Sequence, residues 1–169
     1  MGLFSSTSHI YPFQKKKIKE NFKLKPASKY GKTKLLAESY LIKNFTKAKI
    51  SFCVGRIFSI FDNTGDSFFT PSLLKKIKQK SNNLELENLN HNRDFLSTKQ
   101  ISRIIFFLWK KKFIGIINIG SGIKTNLRSV AKVFAHKANK KILFKHNKPT
   151  FHIADISKLR KLGYKQSKL

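Results

Sequence analysis

Acidic residues are scarce in this chain: eight Asp+Glu stand against 36 Lys+Arg, a formal charge of +28 over 169 residues. A single cysteine, Cys53, excludes a disulfide framework and a Cys-rich zinc site. The five histidines show no ligand spacing, so no metal is assigned. No run of about 18 apolar residues exists, which excludes a membrane-spanning helix and leaves no membrane partner. The start, Met1-Gly2-Leu3-Phe4-Ser5-Ser6, lacks the basic flank and apolar stretch of a secretory signal. What is present is 40% hydrophobic and 12% aromatic residues, too much apolar content for disorder along the whole length. These features point to a soluble cytoplasmic protein, large enough for one domain with a sizeable core or a domain plus a tail.

A charge of this size attracts polyanions, so nucleic-acid binding through phosphate contacts is one function to weigh. The make-up of the charge argues against it. Thirty-one of the basic residues are Lys and five are Arg, and Asn, Ile and Phe are plentiful too. Those are the residues an AT-rich coding sequence over-produces. Arg, suited to bidentate phosphate and base contacts, is the scarce one. Runs such as Lys15-Lys16-Lys17 and Lys110-Lys111-Lys112 are spread along the chain, whereas a dedicated binding patch clusters on one element.

Short apolar runs alternate with amphipathic stretches. Residues 3–5 read as the end of a strand. Pro26-Ala27-Ser28 is a helix-start signal, with Ser28 able to cap the first free amides. Behind it Leu35, Leu36, Tyr40, Leu41 and Phe45 recur at helical spacing. Residues 50–54 predict a buried strand, residues 62–67 a loop, and a helix follows from about Pro71. A short alternating strand, Leu84-Glu85-Leu86, sits in a polar stretch. Further on come a helix over 99–109, a strand over 114–119 ending in Gly120-Ser121-Gly122, a helix over 127–138, a strand over 142–144 and a last helix that Asp155 can cap, ending at Gly163. Strand and helix in succession argue for an α/β fold with parallel strands. Gly120-Ser121-Gly122 lacks phosphate-loop spacing and reads as a structural turn.

The stretch that carries chemistry is Ser5-Ser6-Thr7-Ser8-His9-Ile10-Tyr11, followed by Tyr30-Gly31-Lys32-Thr33-Lys34. Tyr30 and Lys34 are four apart on the predicted helix and share one face. A free phenol titrates near about 10, too high for proton transfer at neutral pH. A fixed ammonium beside it favours the phenolate, and a hydroxyl from a strand end, here Thr7, can hydrogen-bond the reacting oxygen. Such a trio can oxidise an alcohol or reduce a carbonyl with the help of a hydride carrier.

Together these segments resemble the C-terminal half of an extended short-chain dehydrogenase/reductase, the NAD-dependent epimerase/dehydratase group that acts on nucleotide sugars. Ser5–Tyr11 is similar to the family's Ser-Ser-(Ser/Thr)-x-x-Val-Tyr strand end. Pro26–Lys34, with Glu38 behind, is similar to its Pro-x-Ser-x-Tyr-Gly-x-Ser-Lys helix. Val54–Ser59 resembles its Arg-x-x-Asn segment, and Asn92-Arg93-Asp94-Phe95-Leu96 its Arg-Asp-aromatic segment. Asn118–Gly122 and Asp155–Tyr164 resemble two further landmarks. The resemblance implies Tyr30 as acid/base, and Lys34 as the group that lowers the Tyr30 pKa and holds the nicotinamide ribose of NAD or NADP. It implies Thr7 on the substrate hydroxyl, Phe58 at the cofactor, Arg93 on the diphosphate, and Ser59, Phe69 and Leu86 lining the nucleotide-sugar pocket. Asn88–Asp94 is reminiscent of GDP-deoxyhexose enzymes, which tilts the reading toward a GDP- or dTDP-sugar over UDP-galactose.

Three departures stand out. Ser59 replaces the family's Asn, and Lys148-Pro149-Thr150-Phe151 replaces an Arg-Pro-x-Asp pattern. The eight glycines include no Gly-x-x-Gly-x-x-Gly turn of the kind that cradles a dinucleotide pyrophosphate. The expected fold is therefore α/β: an incomplete Rossmann-like, doubly wound domain with a small C-terminal substrate-binding part. The cofactor-domain remainder is placed at 1–62 and the nucleotide-sugar part at 63–169, interleaved with the sheet. A missing N-terminal half and a homodimer through the active-site helix are the implied protein partners.

Because its charge reads as composition, the chain is expected to bind nucleic acid weakly and without sequence preference, with affinity falling steeply as salt rises. Salt-titrated binding to DNA of varied sequence checks this; nanomolar, sequence-selective binding at physiological salt would reverse it.

Overall fold

The computed structural model describes residues 2–61, 69–78, 83–87, 89–145 and 147–166, without the side chains of 69, 70, 83 and 84. The main sheet holds β1 (Gly2–Thr7), β2 (Phe52–Ile57) and β7 (Gly115–Ile119) in the order β1-β2-β7. All its pairs are parallel, with Ser5 opposite Gly55 and Gly55 opposite Ile117. β2 is buried along nearly its whole length, as a central parallel strand covered on both faces must be. Its strand begins two residues later than the sequence predicts and runs on through Ile57, because Gly55 and Arg56 are sheet residues too.

After β1 a 3-10 turn (Ser8–Ile10) leads to a long connection and then α1 (Lys29–Lys47). Ser28 caps α1 as expected, its Oγ accepting the Gly31 N–H at 3.0 Å. The apolar stripe read from the sequence is not one buried face, however. Leu35 packs against the core, whereas Leu36 and Tyr40 are 73% and 68% exposed. The residues of α1 that are fully buried are Gly31 and Glu38.

The remaining elements are β3 (Ser59–Phe61), α2 (Phe69–Ile77), β4 (Asn83–Leu86), β5 (His91–Arg93), β6 (Phe95–Ser97), α3 (Thr98–Lys110), β8 (Thr125–Asn126), α4 (Leu127–Lys137), β9 (Lys141–Phe144), β10 (Thr150–His152) and α5 (Ser157–Lys161). They build a second sheet, β10-β5-β8, and the parallel pairs β3-β6 and β4-β9. The predicted strands and helices are present, while the short strands β3, β5, β6, β8 and β10 carry no periodic signal of their own. β7 returns to the main sheet from the second half of the chain, so the two halves interleave. The 62–67 loop lies outside the described residues.

Two cores result. The larger joins the main sheet to α3 and α5 through Ile104, Leu108, Ile117, Ile119 and Leu159. The smaller joins α2, β4, β9 and α4 through Leu73, Ile77, Leu86 and Ala131. No described helix is long and apolar enough to cross a membrane.

A polar network runs through the larger core. The Glu38 carboxylate on α1 accepts the Ser6 hydroxyl of β1 at 2.6 Å and the Arg56 Nε of β2 at 3.1 Å. Arg56 also donates to the Tyr11 hydroxyl at 2.6 Å, which donates in turn to Asn118 of β7 at 2.9 Å. Burial and the positive Arg56 act oppositely on Tyr11; burial wins and pushes its phenol up to about 12, so it stays neutral. Removing one member of a buried ion pair strands the other charge in a medium that solvates it poorly. Glu38→Ala is therefore expected to destabilise the fold by about 3–5 kcal/mol, read from urea unfolding. A loss below about 1 kcal/mol would mean the pair behaves as a surface contact.

Candidate functional site

The site is built where β1 ends and α1 begins. Gly31 makes the approach possible: a Cβ there would lie 2.5 Å from the His9 carbonyl oxygen and 3.1 Å from Pro26 Cβ. The first turn of α1 thus rests directly on the 3-10 turn, and the Tyr30 and His9 rings meet edge to face at 5.9 Å. Tyr30 is 55% exposed and its hydroxyl takes no hydrogen bond from the described residues. One helical turn on, the Lys34 ammonium donates to the Ser5 carbonyl at 3.0 Å and sits 5.2 Å from the Phe4 ring centroid. Thr7, buried at the strand end, accepts the His9 N–H on its Oγ1 at 3.3 Å, leaving its own O–H free to donate. Thr7, Tyr30 and Lys34 are thus gathered at one strand end by β1 and α1.

Arg93 stands at the other end of the site, on β5. Its Nη1 donates to Thr150 Oγ1 at 3.0 Å and to the Asn92 carbonyl at 3.1 Å, and its guanidinium lies 4.9 Å from the Phe13 ring centroid. Burial lowers its pKa, and no carboxylate pairs with it among the described residues. A half-buried guanidinium without an acid is well placed to take an anion.

The strand carrying Arg93 is fixed by its neighbour. The Asp94 carboxylate accepts Ser121 N–H at 2.6 Å, Gly122 N–H at 2.8 Å and Ala154 N–H at 3.0 Å. Gly120-Ser121-Gly122 therefore wraps a carboxylate of the chain itself, in keeping with the structural role read from its spacing. A Cβ at Gly120 would come within 2.5 Å of Ala154 Cβ and 2.8 Å of the Asp94 carboxylate. Burial raises the Asp94 pKa against those hydrogen bonds.

Between the two ends runs a cleft of ≈ 250 Å³, lined by His9, Phe13, Ser28 and His152 among others. His152 packs against His9 at 6.0 Å, Phe13 at 5.4 Å and Phe58 at 5.3 Å. Tyr30, His9, His152, Phe13 and Arg93 thus form one continuous row. Phe58 reaches this row from beneath, 5% exposed. Ser59 begins β3 and donates its N–H to the Asp94 carbonyl at 2.9 Å, which ties it to the Arg93 strand. Leu86 lies apart from the row, 4% exposed in the smaller core. The Phe69 side chain lies outside the described residues. Sequence reasoning assigned no role to His9, Phe13 or His152. His9 stood inside a quoted motif and had that signal; His152 had none, since only the fold brings β10 beside the 3-10 turn.

The histidines here titrate low. Burial first, then the positive Arg93 and His9, pushes His152 from 6.5 down to about 3. His9 and His91 are lowered by the same combination of burial and Arg93. A group whose folded pKa lies below its unfolded one binds more protons unfolded, so stability rises with pH across that window. The fold is expected to keep this contribution above about pH 6.5 and to lose it progressively as pH falls toward about 3. His152→Phe should flatten that slope in thermal unfolding at stepped pH; an unchanged slope would place the acid sensitivity elsewhere.

Similar structures bear on what this arrangement does. The chain matches RMD from Pseudomonas aeruginosa, solved with NADPH, at a TM-score of 0.85 and 22% identity over 98% of this chain and 60% of that one. It matches a UDP-glucuronic acid 4-epimerase from Bacillus cereus, solved with a fluorinated UDP-sugar and NAD, at 0.85 and 22% over 99% and 56%. A dTDP-glucose 4,6-dehydratase from Bacillus anthracis, solved with NAD, matches at 0.81 and 16% over 95% and 54%. The chain thus spans 54–60% of the length of these neighbours, and at such identities the likeness shows the fold, the Rossmann-like one expected. The model of one family, "NAD dependent epimerase/dehydratase family", matches residues 2–120. This chain, with its Tyr30–Lys34 helix set against the end of β1, belongs to the NAD-dependent epimerase/dehydratase family.

Proposed function

We propose that this chain carries the proton-transfer and substrate-binding elements of an NAD(P)-dependent nucleotide-sugar epimerase, dehydratase or reductase. The observation that carries the reading is the pair of ends just described. A solvent-facing phenol with no hydrogen bond among the described residues lies one turn before a lysine anchored to β1, and a guanidinium with no acid partner among them lies across the cleft. Residues up to 62 supply the proton-transfer side and residues beyond supply Arg93 and most of the substrate contacts.

Tyr30 and Lys34 are suited to hold the nicotinamide ribose, since both present free donors on the same helix face. When bound, the nicotinamide supplies the hydride acceptor or donor at a sugar carbon. Its pyrophosphate finds no glycine-rich turn in these 169 residues. The chain's own chemistry is the proton's. Tyr30 Oη takes the proton of the sugar hydroxyl as that carbon is oxidised, and returns it on reduction. Lys34 stands one helical turn on, and its ammonium's bond to the Ser5 carbonyl keeps it in place. The Thr7 hydroxyl orients the same sugar oxygen. Arg93 binds the diphosphate through charge-assisted hydrogen bonds. Ser59, shorter than asparagine, serves as a lesser contact, and Phe58 backs the cofactor side. A GDP- or dTDP-sugar is the preferred substrate class, and a homodimer through α1 would cover Leu36 and Tyr40.

Two outcomes are expected. In protein completed with the N-terminal half of a family member, Tyr30→Phe should cut turnover by about 10²–10⁴-fold while sugar-nucleotide affinity stays nearly unchanged; an unchanged rate would remove Tyr30 from its role. The 169 residues alone should show no measurable NAD or NADP binding in calorimetry, and binding should return with the added half. Micromolar binding by the chain alone would mean that the pyrophosphate has a site within it.

A further inference from the structure

We propose that His152 recognises the sugar of the substrate, its Nε2 hydrogen-bonding a sugar hydroxyl in the cleft between Tyr30 and Arg93. The inference rests on the nucleotide-sugar reading above and names a residue that the sequence motifs leave unassigned.

His152 is 3% exposed, yet its Nε2 is buried without a hydrogen-bond partner. A buried polar atom left unsatisfied is costly, and folded proteins pair nearly all of them. This one belongs to a residue lining the cleft that also holds His9, Phe13 and Ser28. A ligand seated there would supply the partner.

The ring's chemistry limits what the ligand can be. The ring stays neutral because burial, Arg93 and His9 all oppose its charge. A neutral imidazole carries one N–H and one bare nitrogen, and a hydroxyl, which both donates and accepts, can pair with Nε2 in either form. Arg93 takes the phosphate oxygens, and a hydroxyl is the group left for Nε2. No group of three His, Cys, Asp or Glu that could hold a metal exists among the described residues. A hydroxyl-rich ligand is what remains. A ring held neutral this firmly is a poor proton-transfer group near pH 7, so His152 positions substrate and leaves the proton to Tyr30.

Its place in the row agrees. The His9 ring is 5.9 Å from Tyr30 and 6.0 Å from His152, and Phe13 joins His152 at 5.4 Å to the Arg93 guanidinium at 4.9 Å. In a nucleoside diphosphate sugar the sugar is bonded to the diphosphate and ends at the reacting hydroxyl. With the two ends at Arg93 and Tyr30, the sugar ring passes His152.

The test compares each nucleotide sugar with its own nucleoside diphosphate: GDP-mannose with GDP, dTDP-glucose with dTDP, and UDP-glucose with UDP. Each is titrated calorimetrically into the 169-residue chain, into His152→Phe and into Arg93→Leu. The expected result is that at least one sugar nucleotide binds more tightly than its diphosphate. His152→Phe should then weaken that sugar nucleotide about tenfold and leave the diphosphate unchanged, whereas Arg93→Leu weakens both. In the unsubstituted chain, the His152 Nε2 resonance in ¹⁵N NMR should move with the sugar nucleotide and stay with the diphosphate. That readout decides the matter if His152→Phe fails to fold. A folded His152→Phe that keeps the sugar preference, or loses both ligands equally, overturns the proposal and leaves the nucleotide-sugar reading standing. So does an Nε2 resonance indifferent to the sugar. An unsubstituted chain that binds none of the six ligands overturns both.

Discussion

The Glu38–Arg56 pair is the constraint on which the site geometry depends. Glu38 comes from α1 and Arg56 from β2; Ser6 of β1 bonds Glu38, Tyr11 of the connection after β1 bonds Arg56, and Tyr11 in turn bonds Asn118 of β7. One buried network therefore ties the helix carrying Tyr30 and Lys34 to every strand of the main sheet. A buried ion pair is weak evidence of net stability, since desolvation opposes the attraction. Its value here is orientational. A charge that loses its partner on misalignment penalises any rotation of α1, and a small rotation would carry Tyr30 away from the end of β1. Gly31 enforces the same placement from the other side, because His9 leaves no room for a Cβ. The network and the glycine fix one helix by two unrelated mechanisms, electrostatic and steric.

The few acids are spent on structure. Glu38 holds Arg56, Asp94 gathers three backbone amides, and Glu20 accepts the Asn118 N–H at 2.9 Å. Asp155 accepts the Ser157 N–H at 2.8 Å at the start of α5, and Glu85 and Glu87 both face Lys145. Every acid in the described residues is engaged, and none of them pairs with Arg93. The imbalance that dominates the composition is thus felt locally at the site, as a guanidinium charge left open to an anion.

The helix of Tyr30 and Lys34 was legible in the sequence because its signals are local: a Pro-x-Ser start, a cap three residues before its target, and a Tyr–Lys spacing of one turn. The order of strands and helices was legible for the same reason. The apolar stripe of α1 was misleading, since Leu36 and Tyr40 share the helical period of Leu35 but face outward. Periodicity records which residues lie on a face, not which face meets the sheet. The short strands β5, β8 and β10 were illegible, being two or three residues long and defined by partners far along the chain. His152 belongs to this last class. Nothing near it in sequence marks it, and its place beside the 3-10 turn follows from the crossing that lays β10 beside β5.

That crossing also explains how the site tolerates its departures from the family pattern. Where the acidic group of an Arg-Pro-x-Asp segment would stand, this chain has Phe151, with Thr150 before it, and β10 is formed there. Thr150 then receives the Arg93 Nη1 and meets the His91 ring at 2.8 Å, while His152 closes the cleft. A neutral hydroxyl orients the guanidinium without cancelling its charge, as an aspartate would. Arg93 is thereby held by one polar contact, one carbonyl and the face of Phe13, and its positive charge remains available to an incoming anion. The chain thus has one acidic group fewer at this strand, and Arg93 keeps a charge that no carboxylate among the described residues cancels.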